Sequence, residues 1–173
     1  MTDPRYPVGP LEKQAVYSSD QRSAFIQIIQ DAPEMMSRAV DGLTDAQLDT
    51  PYRQGGWTVR QLVHHVPDSH LNAYTRFKLA LTEDMPTIKP YDEAEWAKLP
   101  DSSLGVDVSL TMLTALHERW VVLLRSIPDG DWKRVFNHPD NGHTTLEQAL
   151  ATYEWHSRHH VAHITTLRER MNW

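Results

Sequence analysis

Apolar residues return at helical intervals along four stretches of the chain, and each stretch has its own start or stop signal. In the first, Ala24, Phe25, Ile28, Ile29, Ala32, Met35, Met36 and Val40 fall on one face, a spacing that a 3.6-residue period explains. Ser19 or Asp20 can accept a backbone N–H as the opening cap. Pro33 is expected to kink this helix midway, because proline offers no N–H to the carbonyl four residues back. The second helix opens at Thr58-x-x-Gln61, a capping box, with Trp57 and Leu62 placed to form a hydrophobic staple. Its stripe runs Val59, Leu62, Val63, Val66, Ala73, Tyr74, Phe77, Leu81, with a further kink expected at Pro67. The third carries Leu113, Leu116, Trp120, Leu123, Leu124 and Ile127 and stops at Pro128 and Gly130. The fourth opens at Thr144 or Thr145, with Glu147 and Gln148 three residues on, and continues almost to Trp173.

No segment alternates in the manner of a strand. Four amphipathic helices bury their stripes most economically against one another, so the pattern predicts an all-α four-helix bundle. Residues 1–17, with Pro4, Pro7 and Pro10, read as an extended arm along the body. Residues 82–107 contain Pro86, Pro90 and Pro100 and no sustained period; they read as a long ordered loop between the second and third helices, a length that goes with functional covers. Without internal repeats or a shift in composition, residues 1–173 read as a single domain.

Composition narrows the chemistry. There is no cysteine, which removes disulfides, thiolate-ligated metals and a protein-borne thiolate nucleophile. The formal charge is −6, against a phosphate-tracking surface, so no nucleic-acid partner is expected. The longest apolar run is Trp120 to Leu124, far short of the ~20 residues that cross a bilayer. The start of the chain lacks the basic and apolar segments of a secretory signal, so a cytoplasmic location is expected, with no membrane partner.

Seven of the ten histidines fall within Val63–His70 and His156–His163. The fourth helix offers two i, i+4 pairs, His156 with His160 and His159 with His163, each able to reach one metal ion. Helical phase ranks them: His160 lies about 40° and His156 about 80° from the centre of the buried stripe, whereas His163 and His159 lie about 100° and 140° away. The first pair is thus expected to face the bundle and the second its edge or solvent. An open zinc site needs a third protein ligand. Phase alone nominates His70 from the second helix or nothing, with His64 and His65 on the flanks of the stripe and Pro67 able to rotate that turn. The plainer alternative for any such histidine is a hydrogen-bonded core residue. Trp57, Trp155 and the six Met read as core, and Arg119, Arg125, Arg168 and Arg170 as solvated helix faces.

The segment Asp49-Thr-Pro-Tyr-Arg-x-Gly-Gly-Trp-Thr-Val-Arg-Gln-Leu-Val-His-His-x-x-Asp-Ser-His, followed downstream by Tyr-x-Trp-His-Ser-x-His-His-x-Ala-His-Ile, resembles the YfiT branch of the DinB-like superfamily. The likeness extends to the Tyr6-Pro7-Val8-Gly9 arm, the Arg76-Phe77-Lys78-Leu79 run, the Lys89-Pro90-Tyr91-Asp92 loop and the His138-Pro139 turn. It implies a four-helix bundle, a homodimer, and one divalent ion held by three histidines at the open end of the bundle. Carried over to this chain, the ligands are His65, His156 and His160. The latter two agree with the helical phase; His65 is implied by the resemblance alone. Pro67 departs from the helix-favouring residue of the relatives and bears on the aim of His65. Members of this branch are named metal-dependent hydrolases, and relatives resemble thiol S-transferases that use bacillithiol.

Three neutral imidazoles leave an ion's charge uncompensated and one position open. Water there becomes a hydroxide, giving hydrolysis; a thiol becomes a thiolate able to attack an electrophilic carbon. The absence of cysteine suits a sulfur nucleophile that arrives with a cosubstrate, so the expectation is a thiol S-transferase using bacillithiol or a similar small thiol on an electrophilic small molecule. The alternatives are a metal-dependent hydrolase, or a binding module with a structural ion closed by His64, His70 or His163. Zinc suits the geometry and lacks redox side reactions, with nickel also suited to imidazole. Asp68 and Glu154 are the expected orienting partners of the ligand rings. Occupancy is expected to fall below pH ~6.5, since ligation needs the neutral ring.

Overall fold

The structure, a computed structural model, describes residues 3–173, so the first two residues of the expected arm lie outside the described residues. Along the chain come α1 (Ser19–Val40), the single turn α2 (Asp45–Leu48), α3 (Val59–Thr82), the single turn α4 (Glu93–Trp96), α5 (Val106–Arg125), strands β1 (Val135–His138) and β2 (Gly142–Thr145), and α6 (Leu146–Met171).

Capping decides where these helices begin. Ser18, Thr44, Thr58 and Thr145 each accept the N3 amide while a glutamine three residues on accepts the cap residue's own N–H, opening α1, α2, α3 and α6. Ser18 stands one residue before the expected cap of the first helix, and Thr145 is the one chosen of the two threonines. Both α1 and α3 continue through their prolines, Pro33 and Pro67. At the far end, Asn172 takes the left-handed conformation (φ 57°) that closes α6.

The expectation of a chain without strands is corrected by the β1–β2 hairpin, paired antiparallel from Val135↔Thr145 to His138↔Gly142. Each strand has four residues, too few for alternation to stand out. Its turn, residues 139–141, leads into Gly142 at the start of β2, whose φ is +72°, a conformation open to glycine at little cost. The connection between α3 and α5 is ordered as expected: it contains α4 and a 3-10 turn at Pro100–Ser103, and it buries Ile88 and Ala97.

Helix α1 packs against α5 and α6, and α3 packs against the same two, so the successive long helices α1 and α3 stand across a diagonal of the four-helix bundle. The apolar core lies in two halves, one around Phe77, Trp120 and Leu150, the other around Met36, Leu62 and Ile164. Between them runs a polar layer: on α3 His70 lies between Val66 and Ala73, on α5 His117 lies between Leu113 and Trp120, and on α6 His156 and His160 lie between Tyr153 and Ile164.

The arm is pinned to α6. Buried Tyr17 donates its backbone N–H to Glu147 (3.1 Å), and Trp155 donates its indole N–H to the carbonyl of Gly9 (3.0 Å). No described helix is long and apolar enough to cross a membrane.

Candidate metal centre

The cap at Thr58 sets the first turns of α3, which carry His65 inward beneath Trp57, the ring centroids 4.7 Å apart. From α6, His156 and His160 reach the same point. His156 Nε2 stands 3.3 Å from His65 Nε2, 3.1 Å from His160 Nε2 and 3.4 Å from Ser69 Oγ. Two nitrogens on one zinc ion, each at roughly 2.0–2.1 Å in tetrahedral geometry, stand about 3.3–3.4 Å apart, close to the spacing seen here. An imidazole nitrogen has one lone pair, so His156 Nε2 cannot satisfy N–H groups from both neighbours. A shared cation satisfies all three.

Electrostatics favours the same occupant. Burial pushes the His65 ring down to about 4. Burial, reinforced by the neighbouring rings, holds His156 and His160 well below the ordinary histidine value. The rings are therefore neutral near pH 7, the form that ligates. The Nδ1 atom of His160 is buried without a partner among the described residues.

His159, His160 and His163 form a second group within ligating reach of one another. A single hydrogen bond accounts for its close contact, His159 Nε2 to His163 Nε2 at 2.9 Å. These two rings do face the edge of the bundle as expected, but solvent does not reach them, since both are buried. Helical phase counts only the bundle side, whereas here a roof is laid over the outer side. Trp155 stacks on His159 at 4.2 Å, Tyr52 covers His163 at 4.1 Å, and the arm closes over them through Tyr6.

Neither expected carboxylate orients a ligand ring. Glu154 is paired with Arg158 through both oxygens, and Asp68 makes no side-chain hydrogen bond to the three rings among the described residues. The partner of His156 Nδ1 is instead His70 Nε2, at 3.0 Å. The phase of α3 placed His70 correctly in the interior; it lies behind the converging nitrogens. His64 is turned to α5, between Ser109 Oγ (2.6 Å) and the carbonyl of Leu104 (3.0 Å). His117 escaped the sequence reading altogether, although its place among Leu113, Leu116 and Trp120 marked it as interior.

The three Nε2 atoms open into a cavity of about 490 Å³, within the range of small-molecule sites, whose other walls include Arg5, Tyr6, Arg53, Trp57 and Glu93. Arg5 is paired with Asp3 at 2.8 Å, while Arg53 Nε is buried without a partner among the described residues.

The profile of the DinB superfamily matches residues 28–164. This chain belongs to the DinB superfamily. It is 57% identical over 173 residues, the whole of both chains, to a protein of Bacillus mycoides (strain KBAB4) and to one of Bacillus cereus (strain AH820), each named "Putative metal-dependent hydrolase". Among solved structures, YfiT from Bacillus subtilis, described as "a probable metal-dependent hydrolase with an unusual four-helix bundle topology", superposes with a TM-score of 0.97 at 50% identity, over 99% of both chains. The four-helix bundle protein TT2238 shares the fold alone, with a TM-score of 0.55 at 16% identity over 81% of this chain and 94% of its own.

Proposed function

We propose that His65, His156 and His160 hold one divalent ion, zinc by preference, through their Nε2 atoms, and that the DinB-superfamily chain is a metal-dependent enzyme acting on small molecules. The observation that carries this reading is the meeting of the Nε2 atoms of three neutral rings, His65 and His160 buried and His156 half-buried, at the floor of an open cavity. A closed structural site would need a fourth protein ligand there, and the other buried histidines of the polar layer and of α6 are turned to one another or to backbone carbonyls. An ion in this place supplies positive charge that lowers the pKa of a thiol or a water entering the open position.

The reaction we assign is transfer of a small thiol, bacillithiol or a similar one, to an electrophilic carbon. Several features support it. The chain has no cysteine of its own, no carboxylate is hydrogen-bonded to the three rings among the described residues, and Arg53, which gives one N–H to the Gln54 carbonyl but pairs with no carboxylate among the described residues, gives the cavity a cationic wall suited to an anionic cosubstrate. Trp57 and Tyr6 supply flat apolar walls for the electrophile. Hydrolysis is the second reading, favoured by one observation: Glu93 lines the cavity and desolvation pushes its carboxyl up, as suits a general base.

Metal analysis and cobalt(II) substitution test this. Wild type is expected to hold one ion, and His65→Ala, His156→Ala and His160→Ala to lose it; retained metal in these variants would refute the ligand set. The electronic spectrum of the cobalt form is expected to shift when a thiol is added. A spectrum indifferent to thiol, with ester hydrolysis intact, would favour the second reading.

A further inference from the structure

The bond from His156 Nδ1 to His70 Nε2 is the first link of a longer chain. His70 Nδ1 lies 2.7 Å from His117 Nε2, and His117 Nδ1 lies 2.5 Å from the carbonyl oxygen of Ile29. The His70 and His117 centroids are 4.9 Å apart with planes 19° from parallel. With a nitrogen contact of 2.7 Å, this is two rings joined edge to edge, not laid face on face. Both are sealed in the core, His70 at 0% and His117 at 1% exposure, against Trp120 and, for His70, Tyr153. No carboxylate takes part in these hydrogen bonds among the described residues, so a charged ring here would be uncompensated and the neutral forms prevail.

The polarity of the chain has one solution. A carbonyl oxygen only accepts, so His117 donates its Nδ1–H to Ile29. A neutral imidazole has a single N–H, which leaves His117 Nε2 as acceptor and requires His70 to donate its own Nδ1–H. The same step leaves His70 Nε2 as acceptor and requires His156 to donate from Nδ1. His156 is then left with a bare Nε2 lone pair, at the spot where His65 and His160 converge. The Ile29 carbonyl is available for a reason written in the sequence. Its helical partner would be the N–H of residue 33, and residue 33 is proline.

We propose that His70 and His117 are positioning residues of the metal centre, and that the Ile29 carbonyl, left free by Pro33, sets the tautomer of His156 through them. The role rests on the reading of His65, His156 and His160 as ligands. The chain orients and does not conduct protons, because it ends on a carbonyl that has no proton to pass on. It replaces the carboxylate that commonly stands behind a ligating histidine, and it also accounts for a polar layer running through an otherwise apolar core.

Two readouts test the relay. In the metal-free protein near neutral pH, long-range nitrogen–proton NMR correlations of the histidine rings report which nitrogen holds the proton. The expected pattern is Nδ1–H for His117, His70 and His156 together; a wild-type His156 protonated on Nε2 would overturn the relay, and this measurement needs no variant to fold. The second readout is zinc affinity by competition with a chromophoric chelator. His117→Phe fills the space but cannot accept, and is expected to release the tautomers of His70 and His156 and weaken zinc binding about 10–100-fold. In His117→Gln the amide can accept from His70 and donate to Ile29, and is expected to restore both the tautomers and most of the affinity. Wild-type zinc affinity in a folded His117→Phe protein would overturn the positioning role. A wild type with all three Nδ1–H rings that binds no zinc would support the tautomer relay and refute the ligand reading instead.

Discussion

Two groups of histidines share the middle of α6, and they differ in what stands behind them. His156 and His160 face the bundle, where His65 meets them and where His156 is anchored through His70 and His117 to the Ile29 carbonyl. His159 and His163 face outward under a roof made by Trp155, Tyr52 and the arm. Both groups lie largely out of solvent, His156 half-buried and the others buried, and burial lowers the pKa of every ring in them. Burial therefore does not distinguish a metal site from a packed pair. The distinction lies in the facing nitrogens: one hydrogen bond satisfies the Nε2 atoms of His159 and His163, although His159 Nδ1 is buried without a partner among the described residues, whereas the three Nε2 atoms of the inner group have no such pairwise solution.

The largest expected effect separates the groups outright. His156→Ala abolishes zinc retention, while His159→Ala and His163→Ala keep the wild-type metal stoichiometry. Metal analysis of purified proteins checks this, and loss of zinc from the outer variants with retention in His156→Ala would reverse the assignment.

A graded effect follows from pH and involves both groups. Burial brings His117 and His159 down to about 4 and His163 to about 3, against an ordinary value of ~6.5 in the unfolded chain. As pH falls through that ordinary value the unfolded chain binds protons that the folded protein refuses. The stabilising contribution is thus complete above about pH 6.5 and is lost as pH drops towards about 4. Thermal unfolding of the metal-free protein across this window is expected to show a steep decline in Tm; a flat profile would contradict neutral burial. The same lowering at His65, to about 4, moves the expected loss of bound metal below the ordinary histidine range.

The smallest effect belongs to the roof. Trp155→Phe keeps the stacked ring but removes the hydrogen bond to Gly9, and is expected to cost about 0.5–1.5 kcal/mol in urea unfolding without changing metal stoichiometry. A loss of metal here would tie the roof to the inner site.

Much of this arrangement was legible in advance. The capping boxes at Thr58 and Thr145 and the four apolar stripes define the bundle because they depend on contacts within a few residues. His156 and His160 were readable for the same reason, being one turn apart on one helix. His65 was implied by resemblance alone, since its aim depends on how α3 sits against α6, and phase pointed to His70. The burial of the outer pair was misjudged because its cover comes from the arm, more than a hundred residues away in sequence. Four-residue strands lie beneath the resolution of periodicity, so the hairpin was missed.

By itself, the amino-acid order determined where helices start, which faces are apolar, that no thiol is available, and that Ile29 would lack its helical partner at Pro33. Only the tertiary structure decided which groups use those opportunities: His117 from α5 takes the free carbonyl, His70 from α3 links it to His156 on α6, and His65 joins the pair. The reason is physical. Caps and stripes are local interactions, written within one or two turns, whereas a shared lone-pair cluster and its relay need side chains from three helices and a backbone carbonyl from a fourth placed to within a hydrogen bond's length, and packing alone sets that distance.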